Sequence, residues 1–254
     1  MAGERRGDYP RRVICLAGEG AELLRRMGAG DRVTDLSGGT PCAEGDIDRL
    51  LLLGADLVVV GPGPAGGPAP APVPPGVRVM ACASECLEDL FRAVRDLGEV
   101  TGLQERARAL AEDLQSGVLS IREKGEMLLR RPRIFFEEWP DPLISCSRWV
   151  GELVEIAGGE EIFPELRGRR DRQARIVDPA EVARRAPEVI IASWSGERVD
   201  FERIRGRPGW DRVPAVRRDK MFEIDPDRVL RPGPAALTEG LVRLHEIIAG
   251  ASLG

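Results

Sequence analysis

The chain contains 254 residues, of which 43% are apolar and 31% charged, so it can bury a hydrophobic core and is not intrinsically disordered. Its 37 Lys and Arg residues against 42 Asp and Glu give a formal net charge of -5 without a prominent basic run, which argues against a nucleic-acid-binding protein. A single histidine and a single tyrosine leave few side chains for acid–base or metal chemistry, and these counts favour a binding protein.

Hydrophobic periodicity in the first hundred residues predicts alternating strands and helices. Strands are predicted over 12–17, 32–36, 56–60 and 77–80, and helices over 21–27, 47–53 and 87–97. Gly28 and Gly54 follow two of these helices, as expected of residues that end a helix in a left-handed conformation. Strand 56–60 is continuously apolar, which is typical of strands buried on both faces of a parallel sheet.

A long helix then interrupts the alternation. Apolar residues three to four positions apart predict one helix over 103–128, ended by Pro132, and this helix is too long for a crossover. Beyond it, strands are predicted over 133–137, 188–192 and 220–224, and helices over 149–157, 179–185 and 235–248. Asp178, Pro179 and Glu181 have the spacing of an N-cap, a first helical residue and a capping box.

These elements predict an α/β fold made of two Rossmann-like α/β lobes with parallel sheets, bridged by a single long α-helix. The predicted boundaries are an N-terminal α/β lobe over 1–100, a linking helix over 101–131 and a C-terminal α/β lobe over 132–254.

The N-terminal segment suggests a compartment. Residues 1–12 are polar, and the apolar run 13–17 is much shorter than the hydrophobic region of a signal peptide. No stretch reaches the roughly 18–20 apolar residues of a membrane span. We therefore predict a cytoplasmic protein without membrane insertion; a periplasmic location is the alternative if a leader has been removed.

The cysteines fit a reduced compartment, because their number is odd and their spacing is not that of a disulfide framework: Cys15, Cys42, Cys82, Cys86 and Cys146. Cys82 and Cys86 lack a second pair, so no zinc or iron–sulfur site is predicted. His245 borders the apolar stripe of the last helix and is expected to pack there rather than bind a metal. Gly18 and Gly20 lack the third glycine of a dinucleotide-binding fingerprint.

Five ordered blocks, covering about residues 11 to 250, resemble one known family. They are RRVICLAGEGAELLRRMGAGDRVTDLS, DIDRLLLLGADLVVVG, RPRIFFEEWPDPLISCSRWVGELVEIAGGEEIFPEL, DPAEVARRAPEVIIASW and RPGPAALTEGLVRLHEII. The chain resembles the class III, helical-backbone substrate-binding proteins of metal-chelate ABC transporters, and within them the vitamin B12-binding branch. The resemblance implies two lobes joined by one long helix, with a metal chelate clamped between them and a corrinoid, cobalamin or cobinamide, as the ligand.

A corrin is a flat, largely apolar disc with an amide rim, so its site needs aromatic faces and a few polar groups. Trp139 and Trp194 follow strands of the second lobe directly, where α/β sheets place ligands, and both are predicted to contact the ligand. Trp149 begins a helix and either faces the ligand or packs, whereas Trp210 is predicted to be a surface anchor.

Polar candidates for the rim lie beside the same strand ends or before the last helix: Glu138, Asp141, Ser145, Ser193, Ser195 and Arg231. Glu19 and Gly20 occupy the first strand-to-helix turn of the N-terminal lobe, where backbone N–H groups can receive a polar ligand edge. A cysteine ligand to cobalt is a further alternative, for which Cys42 and Cys146 are best placed.

Two departures from the family argue against simple transport. The secretion signal of periplasmic members is not found. Gly and Pro make up 12 of the 16 residues of segment 61–76, which carries no charge where family members have an acidic residue that pairs with the permease. An acidic counterpart in the second lobe is expected at Glu160 or Glu161. Segment 37–46 is also shorter than in family members.

We therefore predict a non-catalytic corrinoid-binding protein that requires no cofactor and has a small metal chelate as its partner. A permease partner is in doubt because the docking acid is absent. One alternative is the solute-binding component of an iron-chelate or B12 importer whose leader is missing. Another is an enzyme of corrinoid or tetrapyrrole metabolism, for which Glu137 and Glu138 form a weak acid–base pair, since adjacent strand residues point to opposite faces.

Overall fold

The computed structural model describes residues 9–37, 53–61 and 75–253. The chain divides into two compact units, unit 1 with Met1–Ser84 and Glu88–Asp113 and unit 2 with Glu85–Leu87 and Leu114–Gly254. Residues 47–52 of the predicted helix 47–53, Cys42 and most of the Gly- and Pro-rich segment 61–76 lie outside the described residues. The three-part division at 1–100, 101–131 and 132–254 stays a prediction.

Unit 1 is built on a parallel sheet with strand order β2-β1-β3-β4. Its described elements are β1 (Val13–Cys15), α1 (Gly18–Arg26), β2 (Val33–Asp35), β3 (Leu57–Val60), β4 (Arg78–Ala81) and α2 (Leu87–Thr101). Every residue of β3 is buried, as its continuous apolar run predicts. Gly28 lies just beyond α1 with φ +74°, the left-handed conformation that ends a helix.

The long helix α3 (Gln104–Glu126) has 23 residues and ends before Pro132, as its periodicity predicts. Its apolar stripe is buried, with Ala107, Leu114, Val118 and Ile121 each less than a tenth exposed. The boundary between the two units falls inside this helix, between Asp113 and Leu114.

Unit 2 contains a mixed sheet with strand order β6-β5-β8-β9, in which β7 also pairs with β5. Strands β7, β8 and β9 are aligned parallel in their pairings and β6 is antiparallel to β5. Its elements are β5 (Arg133–Pro140), β6 (Leu143–Ser145), α4 (Arg148–Ile156), β7 (Glu160–Glu161), α5 (Pro179–Arg185), β8 (Val189–Ala192), α6 (Phe201–Arg205), α7 (Pro214–Arg217), β9 (Met221–Glu223), α8 (Pro226–Val229) and α9 (Leu241–Ser252).

The predicted fold class is confirmed: both units are α/β, with parallel strand pairing at the centre of each sheet and one long helix between them in the chain. Asp178 caps α5 as predicted, accepting a hydrogen bond from the backbone N–H of Ala180 at 2.8 Å. Strand β5 runs three residues past its predicted end at Glu137, because that extension pairs with β6. A π-helical turn over Ala236–Gly240 precedes α9, within the predicted helix 235–248.

The prediction that Trp210 is a surface anchor is wrong. Its side chain is fully buried, its ring contacts Phe135 edge to face at 6.2 Å, and its indole N–H donates to the Pro179 carbonyl at 3.0 Å. Buried tryptophans combine a large apolar surface with one satisfied donor in this way. The flanking Pro and Gly indicate a turn but do not show which way the ring points.

One buried carboxylate in unit 2 lacks a strong cation partner. Glu161 on β7 is 2% exposed; its Oε1 accepts the Phe163 N–H at 2.9 Å, while its Oε2 lies 3.9 Å from Arg167 Nε. Burial is the main cause that raises the pKa of Glu161 to about 7, and the Phe163 N–H and Arg167 only partly oppose it.

We expect a change at Gly125 to destabilise unit 2, whereas the same change at Gly117 on the same helix is tolerated. A Cβ at Gly125 would lie 2.6 Å from the Ile156 carbonyl oxygen and 2.9 Å from the Gly158 nitrogen, whereas a Cβ at Gly117 meets nothing within 4 Å. Gly125→Ala should lower the free energy of unfolding by about 1–3 kcal/mol because the helix must shift. Gly117→Ala should raise it by about 0.5–1 kcal/mol. Urea unfolding of both variants checks this, and equal effects would contradict the close approach.

We also expect Glu161 to make stability fall as pH rises. Its carboxyl is protonated in the folded protein and ionised in the unfolded chain between its ordinary pKa of 4.5 and about 7, so folding is favoured at the acidic end and the gain is lost as pH rises towards 7. Glu161→Gln should remove this dependence. Between pH 5 and pH 8, the free energy of unfolding of the wild type should therefore fall by up to about 3 kcal/mol more than that of the variant. Urea unfolding across this range tests it, with Glu160→Gln, an exposed neighbour, as control. Parallel curves for wild type and Glu161→Gln would contradict the assignment.

Candidate functional site

A surface pocket of about 590 Å³ lies in unit 2 at the carboxyl edge of the sheet, the edge where the parallel strands β8 and β9 end. We call it the edge pocket. One wall is the loop after β8, with Trp194, Ser195, Gly196, Glu197 and Arg198. The other wall is formed by the end of β9, by α8 and by the residues next to it: Glu223, Asp225, Pro226, Asp227, Leu230 and Arg231. Open α/β sheets bind ligands at this edge.

Local sequence determines the two walls of the edge pocket. Gly196 has φ +92°, a conformation that favours glycine and turns the chain after β8. Asp225 caps α8 by accepting the N–H of Asp227 at 3.0 Å, and Pro226 takes the first helical position. Asp225 and Pro226 thus begin α8 in the same way as Asp178 and Pro179 begin α5.

The walls carry charges of both signs. Glu223 accepts the Val199 N–H at 3.2 Å, and Asp227 pairs with Arg231 at 3.2 Å, with both of the latter side chains about 70% exposed. Glu197 and Arg198 are exposed in the loop after β8. The edge pocket therefore offers carboxylates as hydrogen-bond acceptors and guanidinium groups as donors to a bound molecule.

Beneath the edge pocket, a buried ion pair holds Trp194. Both guanidinium nitrogens Nη1 and Nη2 of Arg207 donate to the Glu137 carboxylate, at 2.6 and 2.8 Å, and the Trp194 indole N–H donates to the same carboxylate at 3.1 Å. Arg207 also lies over the ring of Trp210 at 4.5 Å. Burial raises the pKa of Glu137, and the hydrogen bonds from Arg207 oppose that shift. Trp194 lines the edge pocket but is only 2% exposed, so it forms the floor of the pocket.

Trp139 lies at the end of β5 in a second cluster, which we call the Trp139 corner: Trp139, Asp141, Arg172 and Arg203. The half-buried Trp139 donates its indole N–H to the Asp141 carbonyl at 2.8 Å, and the Arg172 guanidinium lies 5.4 Å from its ring centre. Arg203 lies 5.9 Å from the ring centre of Trp194 and 3.7 Å from the Asp141 carboxylate, and so connects the corner to the edge pocket.

Glu138, predicted as a ligand contact, is buried and engaged. Its carboxylate accepts the Ser147 N–H at 2.6 Å and Arg175 Nη1 at 2.7 Å, and Arg175 also donates to the Ser145 carbonyl at 2.6 Å. The hydroxyl groups of Ser145 and Ser193 are buried without a hydrogen-bond partner in the described part of the chain. Glu137 and Glu138 thus have different arginine partners, as expected of residues on opposite faces of a strand.

Trp149 and His245 both have the geometry of packing residues. Trp149 is buried and its indole N–H donates to the Val229 carbonyl at 3.0 Å, which is the packing alternative that the sequence left open. His245 Nδ1 lies 3.0 Å from the Ala157 carbonyl.

The candidates of unit 1 lie at the carboxyl edge of its own sheet. Glu19, in the first turn of α1, accepts hydrogen bonds from the hydroxyl and the backbone N–H of Ser84, and its burial raises its pKa. Gly20 packs so closely on β3 that an added Cβ would lie 2.6 Å from the Val59 side chain. Ligand contact at Glu19 and Gly20 stays a prediction.

The described cysteines are buried, and none of them forms a disulfide: Cys15, Cys82, Cys86 and Cys146. Burial raises the pKa of Cys15 to about 12 and the pKa of Cys146 well above its ordinary value, so both thiols stay protonated near neutral pH. Among the described residues, no group of three or more His, Cys, Asp or Glu is arranged to hold a metal ion.

Of the predicted residues, the structure brings Trp194, Ser195 and Arg231 to the edge pocket and places Trp139 and Asp141 at the adjoining corner. Ligand contacts at these residues, and at Glu138, Trp149 and Ser193, stay predictions. Sequence reasoning missed Arg172, Arg203 and Arg207, which no local pattern marks. It also missed the acidic wall, although Asp225 followed by Pro226 is a helix-start signal that could have revealed it.

We expect loss of the buried Arg207 to destabilise the protein far more than loss of a surface arginine. Arg207→Met leaves the Glu137 carboxylate buried without its partner, which should lower the free energy of unfolding by about 3–5 kcal/mol. Arg205→Met, which removes an exposed partner of Glu202 and Asp219, should cost about 1 kcal/mol or less. Thermal and urea unfolding measure both variants. Similar losses would show that the Glu137 pair does not support the fold.

Known proteins share this architecture. A solved structure of a possible iron-binding, periplasmic solute-binding protein from Staphylococcus epidermidis ATCC 12228 is similar with a TM-score of 0.78 and 20% identity, covering 94% of this chain and 99% of that one. The periplasmic vitamin B12-binding protein BtuF of Vibrio cholerae is similar with a TM-score of 0.72 and 20% identity, covering 96% and 99%.

Sequence comparison agrees. An uncharacterized ABC transporter substrate-binding lipoprotein, YvrC of Bacillus subtilis (strain 168), is 22% identical over 260 residues, covering 94% of this chain and 80% of that protein. Residues 30–228, more than half of the chain, match the family model described as periplasmic binding protein. The chain therefore belongs to the periplasmic binding protein family, whose members are the substrate-binding proteins of ABC transporters.

Proposed function

We propose that this chain binds a small metal chelate for an ABC importer and that the chelate is a corrinoid, cobalamin or cobinamide. The observation that carries the proposal is the edge pocket, about 590 Å³ in volume, with carboxylates and guanidinium groups on its walls. Pockets of about 300–1,000 Å³ are of the size that binds small molecules in proteins. Family membership supports a solute-binding role, and the similarity to a vitamin B12-binding structure supports the choice of ligand.

The chemistry of a corrinoid suits these walls. Its disc is apolar and its rim carries primary amides, each with N–H donors and a carbonyl acceptor. The carboxylates of Glu223, Asp225 and Asp227 can accept the amide N–H groups, and Arg198 and Arg231 can donate to the amide carbonyls. We propose that one edge of the corrin enters the edge pocket, while the disc extends towards Trp139.

We further propose that the protein is non-catalytic and needs no cofactor. The acid–base pair of the enzymatic alternative, Glu137 and Glu138, is buried, and each carboxylate is held by its own arginine. The single histidine, His245, is hydrogen-bonded to the Ala157 carbonyl. A group held in this way is not positioned to exchange a proton with a ligand.

The partner follows from the family, whose members deliver small ligands to a permease. Of the two acidic residues predicted for docking in the second lobe, Glu160 is exposed and Glu161 buried, so Glu160 is the residue that we propose for contact with a permease.

The predicted cytoplasmic location is not supported by the comparisons, since one similar protein is a lipoprotein. The substrate-binding component of an ABC importer works outside the cytoplasm. We propose that location for this chain, and it is the periplasmic alternative that the sequence analysis gives. Among the described residues, no helix combines the length and the apolar character needed to cross a membrane. Fractionation of the source cells with an antibody to this chain tests the location.

Blocking the edge pocket should weaken ligand binding. Ser195 is exposed on its wall, so Ser195→Trp should fill the pocket without disturbing the core. We expect cyanocobalamin to bind the wild type with a dissociation constant in the micromolar range or tighter, and Ser195→Trp to weaken binding by at least about tenfold, a loss of about 1.4 kcal/mol. Calorimetry and the absorbance change of the corrin measure it.

The matched control is Ser116→Trp, a second exposed serine, on α3, which does not line the edge pocket. It should bind as the wild type does. If cyanocobalamin and cobinamide both fail to bind the wild type, the corrinoid proposal is wrong. If Ser195→Trp binds normally, the ligand occupies another site.

A further inference from the structure

Four arginines of unit 2 either pair with a buried glutamate or lie near a tryptophan ring, and they differ in burial: Arg207, Arg175, Arg203 and Arg172. Arg207 and Arg175 have side chains only 10% and 7% exposed, and each is bound to a buried glutamate. Arg203 is 42% exposed, and Arg172 is also exposed. The first two therefore stabilise the fold, whereas the second two present their guanidinium groups to solvent.

The two exposed guanidinium groups lie near tryptophan rings. Arg172 is 5.4 Å from the ring centre of Trp139, and Arg203 is 5.9 Å from the ring centre of Trp194. An aromatic ring attracts the cation but accepts few of its N–H groups, so most of these donors stay available. Contact with a ring thus holds an arginine in place while leaving it able to bind an anion.

Carboxylates of the protein neutralise these two cations weakly. Among the described residues, no carboxylate lies within ion-pair distance of Arg172. In the described part of the chain, the carboxylate within ion-pair distance of Arg203 is that of Asp141, at 3.7 Å, and that side chain is 83% exposed. The buried Glu137 carboxylate also attracts Arg203, but it is hydrogen-bonded to Arg207. An exposed pair at this distance contributes little energy, and a ligand oxyanion can displace it. A third guanidinium, that of Arg198, lies in the edge pocket itself.

We infer that Arg172 and Arg203 form an anion-binding subsite beside the edge pocket, and that the chelate bound there carries a phosphate or carboxylate group. This inference rests on the proposed function. Guanidinium groups bind both kinds of oxyanion through paired N–H donors. Among corrinoids, cobalamin carries a phosphodiester and cobinamide carries no phosphate, so the subsite favours the phosphate-bearing forms. Heme would present carboxylates to the same arginines.

Paired ligands that differ by one phosphate test the subsite. Dicyanocobinamide and its phosphate ester are titrated calorimetrically at low salt into the wild type, Arg172→Gln and the double variant Arg172→Gln/Arg203→Gln. We expect the wild type to bind the phosphate ester about tenfold more tightly than cobinamide. The double variant should lose this preference, so that its dissociation constants for the two ligands become similar. Arg172→Gln alone, a change to an exposed side chain, should lose part of it.

Two controls accompany these titrations. Arg217→Gln, at an exposed residue of α7, should keep the full preference, since Arg217 belongs neither to the edge pocket nor to the Trp139 corner. Hemin, titrated in parallel, distinguishes the anion: weaker binding of hemin by the double variant assigns carboxylates to the subsite, and weaker binding of the phosphate ester assigns phosphate. Either result supports the subsite.

The outcomes separate this inference from the proposed function. Equal binding of cobinamide and its phosphate ester by the wild type, with hemin unaffected in the double variant, would overturn the subsite and leave the proposed function intact. Equal weakening of both cobinamides in the double variant would also overturn it. If the wild type binds none of these chelates, the proposed function fails and the inference fails with it.

Discussion

The buried ion pair between Glu137 and Arg207 is the interaction on which unit 2 most depends. It joins the central strand β5 to the segment after α6, 70 residues later in the chain, and the same carboxylate fixes the indole of Trp194. Removing two charges from water costs several kcal/mol, and the two short hydrogen bonds and the ring of Trp210 offset that cost. The Trp194 indole is therefore held in place by the fold itself, which reduces the cost of ordering that residue when a ligand binds.

The charged residues at the carboxyl edge of unit 2 therefore have two different roles. The buried charges at the carboxyl edge are paired with each other and stabilise the fold, while the exposed ones on the loops remain available to a bound molecule. The loops after β8 and β9 are where parallel strands end, so backbone topology places them together whatever their sequence. Their side chains then determine which molecule this edge accepts.

The sequence predicts the frame of the protein well and the site in part. Continuous apolar runs reveal β3 and β8, and Asp178 with Pro179 marks the start of α5, because burial on both faces and helix capping are local signals. Trp139 and Trp194 are correctly placed at strand ends for the same reason. Arg207 is missed and Trp210 is wrongly predicted to lie at the surface, since their partners are distant in sequence and only the folded chain brings them together.

In the function that we propose, a metal chelate binds at the carboxyl edge of unit 2, in the edge pocket. A crystal structure of the protein with cyanocobalamin, recorded at the cobalt absorption edge, tests this most directly because the anomalous signal locates the metal independently of any model. We expect one strong cobalt peak beside the edge pocket and the Trp139 corner, with corrin amides in contact with the walls of the pocket. A cobalt peak elsewhere on the molecule, with the edge pocket filled only by solvent, would contradict it.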